Sequence, residues 1–507
     1  MSARFRISTL VSSSALATVA LLLSSSACSS GGGTGTGGSG GVVPGGSGGS
    51  TLGSGGANAG TGGGTLSSGG TIGSGGLTGS GGATGGGATG GGTGTGGGTA
   101  SGGETGSGGT SGGLAGYNPD FKEFVGEDCT LPEPALLSSP DHSLPDPFLM
   151  SDGTRMSSLE QWACQRAWLK KNVEAFVHGE KPGRPETVTG SVSGSSISVH
   201  VENGGQSHDF AASAFTITRP QGAAGPTPGM FQAEGLGVPT NFLSGEGVAA
   251  IRYDHSDIEA AYDKLYGGSG VSLNIKWAWG VSRAIDVLVD QKAAGANDII
   301  DPTALGTTGC SFAGKSAFSV GAFDERIALG LPVESGSGGL ASYRVIADGD
   351  FGPNKSGDYD PEPVSAACSS NWLEGAVCNG NVDSVPADAH FMVAMYAPRG
   401  FTTLDNNRIG HLAPVAQFAA VSAGAEVFKA LGLESHVGYH GGNDGDPHEH
   451  CGFYESQQET ARKAIQGFLT KTAAPANFME PKLKDYDNMP VDFDLANYID
   501  WEIPPLN

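Results

Sequence analysis

ALGTTGCSFAGKSAFSVGAFDERIALGLPVE, residues 304–334, decides how the chain is read. An apolar run gives way to a glycine-flanked turn, then to small and apolar residues at helical spacing, then to a second apolar run, IALGLPV. Strand, turn, helix and strand within about thirty residues is the size of a βαβ unit, and that connection makes the sheet parallel. The strand ends near Thr308 and the helix begins after Ser311, which puts Ser311 on the turn. In a serine elbow the backbone is strained, so neighbours must be small, and amides at the helix start face an oxygen that becomes negative. Gly309 and Gly314 meet that demand, and Ala313 stands where the usual second glycine falls. An ordinary glycine-rich loop fits the same letters, so the serine needs partners before it means chemistry.

The flanking sequence supplies the rest of a sheet. SSLEQWACQRAWLKKNVEAFVHG (157–179) has apolar residues at helical spacing, with Ser157 or Ser158 placed to cap it and Glu160 in its first turn. Val188–Val201 and SHDFAASAFTITRP (207–220) alternate as strands and are expected to pair as an antiparallel edge. GVAAIRYDH (247–255) reads as an apolar strand and KWAWGVSRAIDVLVDQKAAG (276–295) as an amphipathic helix. HFMVAMYAP (390–398) reads as another buried strand, Val415–Leu431 as a helix and Glu455–Leu469 as a closing helix. This alternation predicts an α/β fold of the α/β-hydrolase type, a three-layer sandwich with a mostly parallel sheet and antiparallel N-terminal strands.

Composition divides the 507 residues before folding is considered. Residues 1–28 read as an export signal: Arg4 and Arg6 precede an apolar run, Ala15–Leu23, too short to span a bilayer. Cys28 follows Ser-Ser-Ala, which resembles the lipid-attachment box of bacterial lipoproteins, although Ser25 stands where those boxes carry Leu. Cleavage with secretion and lipid anchoring at a cell surface both remain open. Residues 29–116 are mostly Gly, Ser and Thr with a scatter of Ala, Leu and Val and Glu104 as the one charge, a tether that cannot build a core. A single domain is expected over 117–507. The net charge of −24 argues against phosphate backbones as ligands, so no nucleic acid is expected.

A serine hydroxyl needs a base, and the base needs an orienting carboxylate. Chemistry gathers at the carboxyl ends of parallel strands, and Glu334 ends IALGLPV directly after the elbow helix. Asp405, after a later strand, is the competing acid. For the base, SHVGYHGGNDGDPHEHCGFY (435–454) offers His436, His440, His448 and His450. Cys310 precedes the serine and Cys451 follows His450, so a disulfide between them would hold base and nucleophile together, which selects His450. His436 and His440 then fit surface or supporting positions. A metal set of His440, Asp444, Asp446, His448 and His450 matches none of the usual zinc or calcium spacings. Without Cys28, six cysteines remain, and an even number in an exported chain suggests three disulfides.

LPDPF (144–148), CQR (164–166), AWGVSRAID (278–286), GCSFAGK (309–315), AFDERIAL (322–329), PVESGSGG (332–339), APRG (397–400) and HCGF (450–453) follow one another in order. Together, from Cys129 to Phe453, they resemble the glucuronoyl esterases, carbohydrate esterase family 15. The resemblance implies Ser311 as nucleophile, Glu334 as acid, His450 as base and Lys315 as a contact to the uronate hydroxyls. It also implies disulfides Cys310–Cys451 and Cys129–Cys164; Cys368–Cys378 follows only as the remaining pair. A further family cysteine, eight residues past the acid, is Ser342 here. Family members commonly carry arginine after the serine, assisting the oxyanion, where this chain has Phe312. The Phe312 amide remains as a donor. The family's Trp-Leu-Gly-Pro is His411-Leu412-Ala413-Pro414, which alters an aromatic sugar contact.

The implied activity is that of an exported serine esterase cleaving 4-O-methyl-glucuronoyl esters between glucuronoxylan and lignin alcohols, through an acyl-enzyme. Such a triad requires no cofactor and no metal, and the body is expected to act as a monomer. Phe312 and His411 keep two alternatives in view: an esterase for a different sugar or acyl ester, and a non-catalytic polysaccharide-binding relative.

Overall fold

The computed structural model describes residues 114, 117–348, 361–442, 449–483 and 493–507. The residues expected to form an export signal, Cys28, the expected tether apart from Leu114, and His448 lie outside them. The described residues belong to one unit, Gly102–Asn507.

The strands in chain order are β1 (Thr187–Val192), β2 (Ile197–Asn203), β3 (Gln206–Asp209), β4 (Phe215–Thr218), β5 (Thr227–Ala233) and β6 (Ala249–Tyr253). After them come β7 (Ile300–Cys310), β8 (Ile327–Val333), β9 (Gly400–Leu404), β10 (Val437–His440) and β11 (Met479–Glu480). The helices are α1 (Trp162–Val173), α2 (Thr240–Gly245), α3 (His255–Tyr266), α4 (Leu273–Ala293) and α5 (Phe312–Phe323). Five more follow: α6 (Tyr343–Asp348), α7 (Val364–Ser369), α8 (Ala389–Ala394), α9 (Pro414–Ala430) and α10 (Glu455–Phe468).

The main sheet has the order β11-β10-β9-β8-β7-β5-β6-β4. Every pair in it is parallel except β4 with β6. Neighbouring residues on each strand face opposite sides: Phe231 and Ile251 enter the core formed with α4 and α5, whereas Met230 and Ala250 enter the one formed with α2 and α10. Burial on both faces is why these strands read as continuous apolar runs rather than alternating ones. The α/β sandwich and its mostly parallel sheet are therefore present.

Three readings of the sequence need correction. Val188–Val201 is not one strand: the chain turns at 193–196, and its two halves, β1 and β2, pair with each other as an antiparallel hairpin. Residues 207–220 do not form one strand. The chain turns at 210–214, so that β3 pairs with β2 in a separate three-stranded antiparallel sheet while β4 joins the edge of the main sheet. HFMVAMYAP is a buried helix, α8, not a strand. The Asp388 carboxylate caps it, accepting from the Ala389 amide, and the strand expected there begins at Gly400 instead. An all-apolar run carries no periodicity, so it does not separate a buried helix from a buried strand. The central strand β5 was not anticipated at all.

Several of the recurring motifs prove to be structural. On α4, Arg283 Nε lies 3.2 Å from Asp286, which pairs with Arg326 at 2.6 Å; Arg326 also holds Asp324 at 2.7 Å. Glu123, from the N-terminal segment, pairs with Lys181 and Arg283 and completes the charge balance. Those cations hold its carboxyl far below the usual range, against the opposing effect of burial. Arg166 of CQR binds Glu325 at 2.7 Å, both side chains being almost wholly buried. These ions fix where α4 and α5 sit against the sheet.

Candidate active site

β7 ends at Cys310, α5 begins at Phe312, and Ser311 between them has φ 61° and ψ −126°. A non-glycine residue at positive φ costs about 1–3 kcal/mol and persists only where its surroundings enforce it. Two glycines make the turn feasible. A Cβ on Gly309 would lie 2.2 Å from the Ala313 carbonyl oxygen, and one on Gly314 would lie 2.6 Å from that of Val333. Ala313 is fully buried at the position of the missing glycine and fits without displacing the turn.

Glu334 follows β8 at φ 46°, a second strained residue at the same end of the sheet. Its Oε2 accepts from His450 Nδ1 at 2.6 Å and from the Cys451 amide at 2.9 Å, while its Oε1 is buried and has no hydrogen-bond partner among the described residues. With Nδ1 as donor, the neutral imidazole keeps Nε2 as its proton acceptor. Cys310 and Cys451 form a disulfide with Cα atoms 5.6 Å apart, tying the His450 turn to the residue before Ser311. Cys129–Cys164 and Cys368–Cys378 are also paired.

Asp405, the competing acid, is engaged elsewhere. It accepts from the Tyr439 hydroxyl at 2.8 Å and the Asn406 amide at 3.0 Å. Burial first, then the negative charge of Glu334, push it up to about 7. His436 donates to the Pro398 carbonyl at 2.7 Å. His440 is not at the surface: it is buried at the end of β10, 3.3 Å from the Thr460 hydroxyl. Glu334, His450, Cys310 and Cys451 bring their donor atoms within 4.8 Å, but the two sulfurs are joined and offer no thiolate to a metal. Of the alternative metal set, Asp444, Asp446 and His448 lie outside the described residues.

Lys315 is buried one turn into α5. It donates to the Ser335 carbonyl at 2.6 Å, sits 3.8 Å from Glu362 and lies 4.4 Å above the centre of the Trp372 ring. Burial pushes its ammonium down to about 8, with Glu362 opposing. Glu362 and Trp372 escaped the sequence reading because neither lies in a spacing that chemistry prescribes. The signal that was available is Trp372 inside the loop closed by Cys368 and Cys378. The Glu362 amide donates to the His411 carbonyl at 2.8 Å, and the His411 ring lies 5.8 Å from that of His450. One wall thus carries a cation, a carboxylate, an indole and two imidazoles.

The other wall is apolar. Phe312 is 38% exposed and meets the edge of His255 at 5.7 Å; His255 stacks on Trp277 at 4.0 Å. Burial pushes His255 down to about 3, so it is neutral and brings no charge to this side. Its Nε2 lies 3.0 Å from the Ser316 hydroxyl.

Residues 199–432 match the family model described as glucuronyl esterase of fungi. A 4-O-methyl-glucuronoyl methylesterase of Neurospora crassa is 32% identical over 380 residues, covering 72% of this chain and 89% of that protein. This chain belongs to the glucuronoyl esterase family. Membership carries a reaction class, carboxylic ester hydrolysis. Among solved structures, the glucuronoyl esterase catalytic domain of Hypocrea jecorina is 31% identical with a TM-score of 0.64, covering 74% of this chain and all of that one. A glucuronoyl esterase mutant from Sporotrichum thermophile, in complex with methyl 4-O-methyl-beta-D-glucopyranuronate, is 30% identical with a TM-score of 0.65. It covers 75% of this chain and all of that one. The sandwich of this glucuronoyl esterase is the fold of its relatives.

Proposed function

We propose that this glucuronoyl esterase hydrolyses esters of 4-O-methyl-glucuronic acid, such as those joining glucuronoxylan to lignin alcohols. The observation that carries the reading is the Glu334–His450 hydrogen bond of 2.6 Å, tied by the Cys310–Cys451 disulfide to a strained Ser311. Ser311 Oγ attacks the ester carbonyl carbon as His450 Nε2 takes its proton. The carbonyl electron pair moves onto oxygen, where the Phe312 amide at the start of α5 stabilises it. Collapse of that intermediate expels the alcohol, which receives the proton from His450, and leaves the uronoyl group on Ser311. Water, deprotonated by His450, then frees the acid by the reverse steps. Glu334 holds the imidazole in one tautomer and stabilises its cation. Lys315, with Glu362 and Trp372 beside it, binds the sugar hydroxyls.

A carbohydrate substrate outside the cell suits the N-terminal residues: an export signal, then a tether that displays the body, anchored through Cys28 if that residue is acylated.

Ser311→Ala is expected to abolish hydrolysis of benzyl and methyl glucuronate esters, and retained activity refutes the assignment. Phe312 and His411 favour one second reading, an esterase for a different sugar or acyl ester. A panel of acetyl, feruloyl and glucuronoyl esters on purified 117–507 separates the two. Failure of a fluorophosphonate to label Ser311, together with xylan binding, is the outcome expected of a non-catalytic relative.

A further inference from the structure

We propose that the Cys368–Cys378 disulfide is a positioning device for the polar wall: it holds the segment that carries Glu362 and Trp372 over Lys315, so that its loss weakens sugar binding and leaves the chemical step standing. The inference rests on that wall binding the sugar of the ester.

Lys315 has these two side-chain neighbours on one short stretch of chain. Glu362 Oε2 lies 3.8 Å from its ammonium, and the centre of the Trp372 ring 4.4 Å from it. Between them stand Pro363, at the N-cap of α7, and α7 itself, whose six residues make less than two turns. A helix that short has no stability of its own, so its position is set by what it is tied to. Among the described residues, the hydrogen bonds of residues 363–370 stay within 363–372. Ala366 and Ala367 donate to the Pro363 carbonyl, Ser370 to that of Ala366, and the Ser369 hydroxyl to that of Ser365.

The Trp372 end of the stretch is tied down where α7 is not. The Asn371 carbonyl accepts from the Leu273 amide at 2.8 Å, and the Glu374 amide donates to the Val177 carbonyl at 2.8 Å. Asn274 Nδ2 donates to the Trp372 carbonyl at 2.9 Å and to the Gly338 carbonyl at 2.8 Å, from a fully buried side chain. That bond joins Trp372 to the loop that follows Glu334. The fit there is close: a Cβ on Gly338 would lie 2.9 Å from the Ala367 Cβ and 3.1 Å from that of Trp372.

The disulfide connects the two parts. Cys368 belongs to α7 and Cys378 to the 3₁₀ turn Gly375–Asn379, and their bond closes a ring around Trp372 with a sequence separation of 10. Closing a ring of that size favours the closed arrangement over opened ones by ~10²-fold through loop entropy. An opened molecule lacks the indole and the carboxylate beside Lys315, and apparent affinity falls with the closed fraction. The Ser311 and His450 segments are held by their own disulfide, Cys310–Cys451, so kcat has no reason to follow.

The test compares two esters on the full chain carrying Cys368→Ser with Cys378→Ser: benzyl glucuronate, and phenyl acetate, which has no sugar. KM for benzyl glucuronate is expected to rise about tenfold with kcat within about twofold, while kcat/KM for phenyl acetate stays unchanged. In a Trp372→Ala background the same pair of substitutions is expected to add less than about twofold, because both changes act through one ring. An unchanged KM with a lower melting temperature makes the bridge purely stabilising and overturns the proposal. Equal losses on both esters, or effects that add to those of Trp372→Ala, overturn it as well. A parent that cleaves phenyl acetate and not benzyl glucuronate overturns the sugar-binding reading on which it rests. For a variant that does not fold, graded reduction of the full chain by a water-soluble phosphine serves instead. The phosphine takes oxygen from water and becomes its oxide, while the two sulfurs gain two electrons from phosphorus and two protons. KM is then read against the fraction of Cys368 and Cys378 alkylated while Cys310, which is wholly buried, is not. KM is expected to rise with that fraction, and a constant KM overturns the proposal.

Discussion

The two ends of α5 are treated in opposite ways. At the C-terminal end, carbonyls that a helix leaves unsatisfied are taken by side chains from elsewhere. Arg399 Nη1 donates to Gly321 and Arg166 Nη2 to Ala322, each at 2.8 Å, while Arg399 also reaches the Asp324 and Ile327 carbonyls just past the helix at 3.1 and 2.8 Å. At the N-terminal end, by contrast, no side chain caps the helix, and the residue preceding it sits at positive φ. The donors of the first turn and the positive end of the helix dipole are left open, as the proposed reaction requires for its developing anion. Such an arrangement costs stability at the proposed reaction site and recovers it at the far end, twelve residues away.

Breaking the open end should have the largest effect and a revealing sign. Ser311→Gly is expected to lower kcat by ~10⁴-fold or more while raising stability to urea by about 1 kcal/mol, because glycine adopts positive φ without strain. Loss of both activity and stability would mean that the elbow is not strained.

Breaking the locked end should do the reverse. Arg326→Met strips buried Asp324 of its cation and leaves buried Asp286 to Arg283, and is expected to cost about 3–5 kcal/mol in urea unfolding. Activity per folded molecule, measured by active-site titration, should stay within about threefold.

Within the open end, the polar wall can be separated from the triad. Lys315→Met is expected to raise KM by ~10–100-fold with a smaller change in kcat. Because burial pushes Lys315 down to about 8, it is a cation at pH 6 and mostly neutral at pH 9. KM for a glucuronate ester should therefore rise across that interval in the parent and stay flat in the variant.

The smallest effect concerns Asp405. Burial and Glu334 push it up to about 7, so the folded state keeps a proton that an unfolded aspartate, near ~4, has lost. Its contribution to stability is full below pH ~4 and declines as pH rises toward 7. Calorimetry on Asp405→Asn should show its melting temperature gaining on the parent's between pH 5 and 8; a constant difference would place the shift elsewhere.

The contrast between the ends of α5 also explains what the sequence made legible. Residues 304–334 could be read because a βαβ unit folds locally: strand, elbow and helix are set by neighbours, and Glu334 follows from where the next strand stops. His450 could be found because a covalent tie left two cysteines as markers. The strand β5 was invisible because Pro228 and Gly229 open TPGMFQA, and both residues are poor strand formers whose place is set by tertiary contacts. Glu362 and Trp372 meet Lys315 only through long-range packing, which leaves no spacing to read. The Phe312 departure was plain in the sequence, but its neutral His255–Trp277 support was not.

The central claim is that Glu334, and not Asp405, orients the base. Its most direct test is kcat on benzyl glucuronate for Glu334→Gln beside Asp405→Asn, both at pH 7. Glu334→Gln is predicted to lose ~10³–10⁴-fold, as expected when a triad histidine loses its carboxylate, and Asp405→Asn to stay within about tenfold of the parent. The reverse ranking would contradict the assignment.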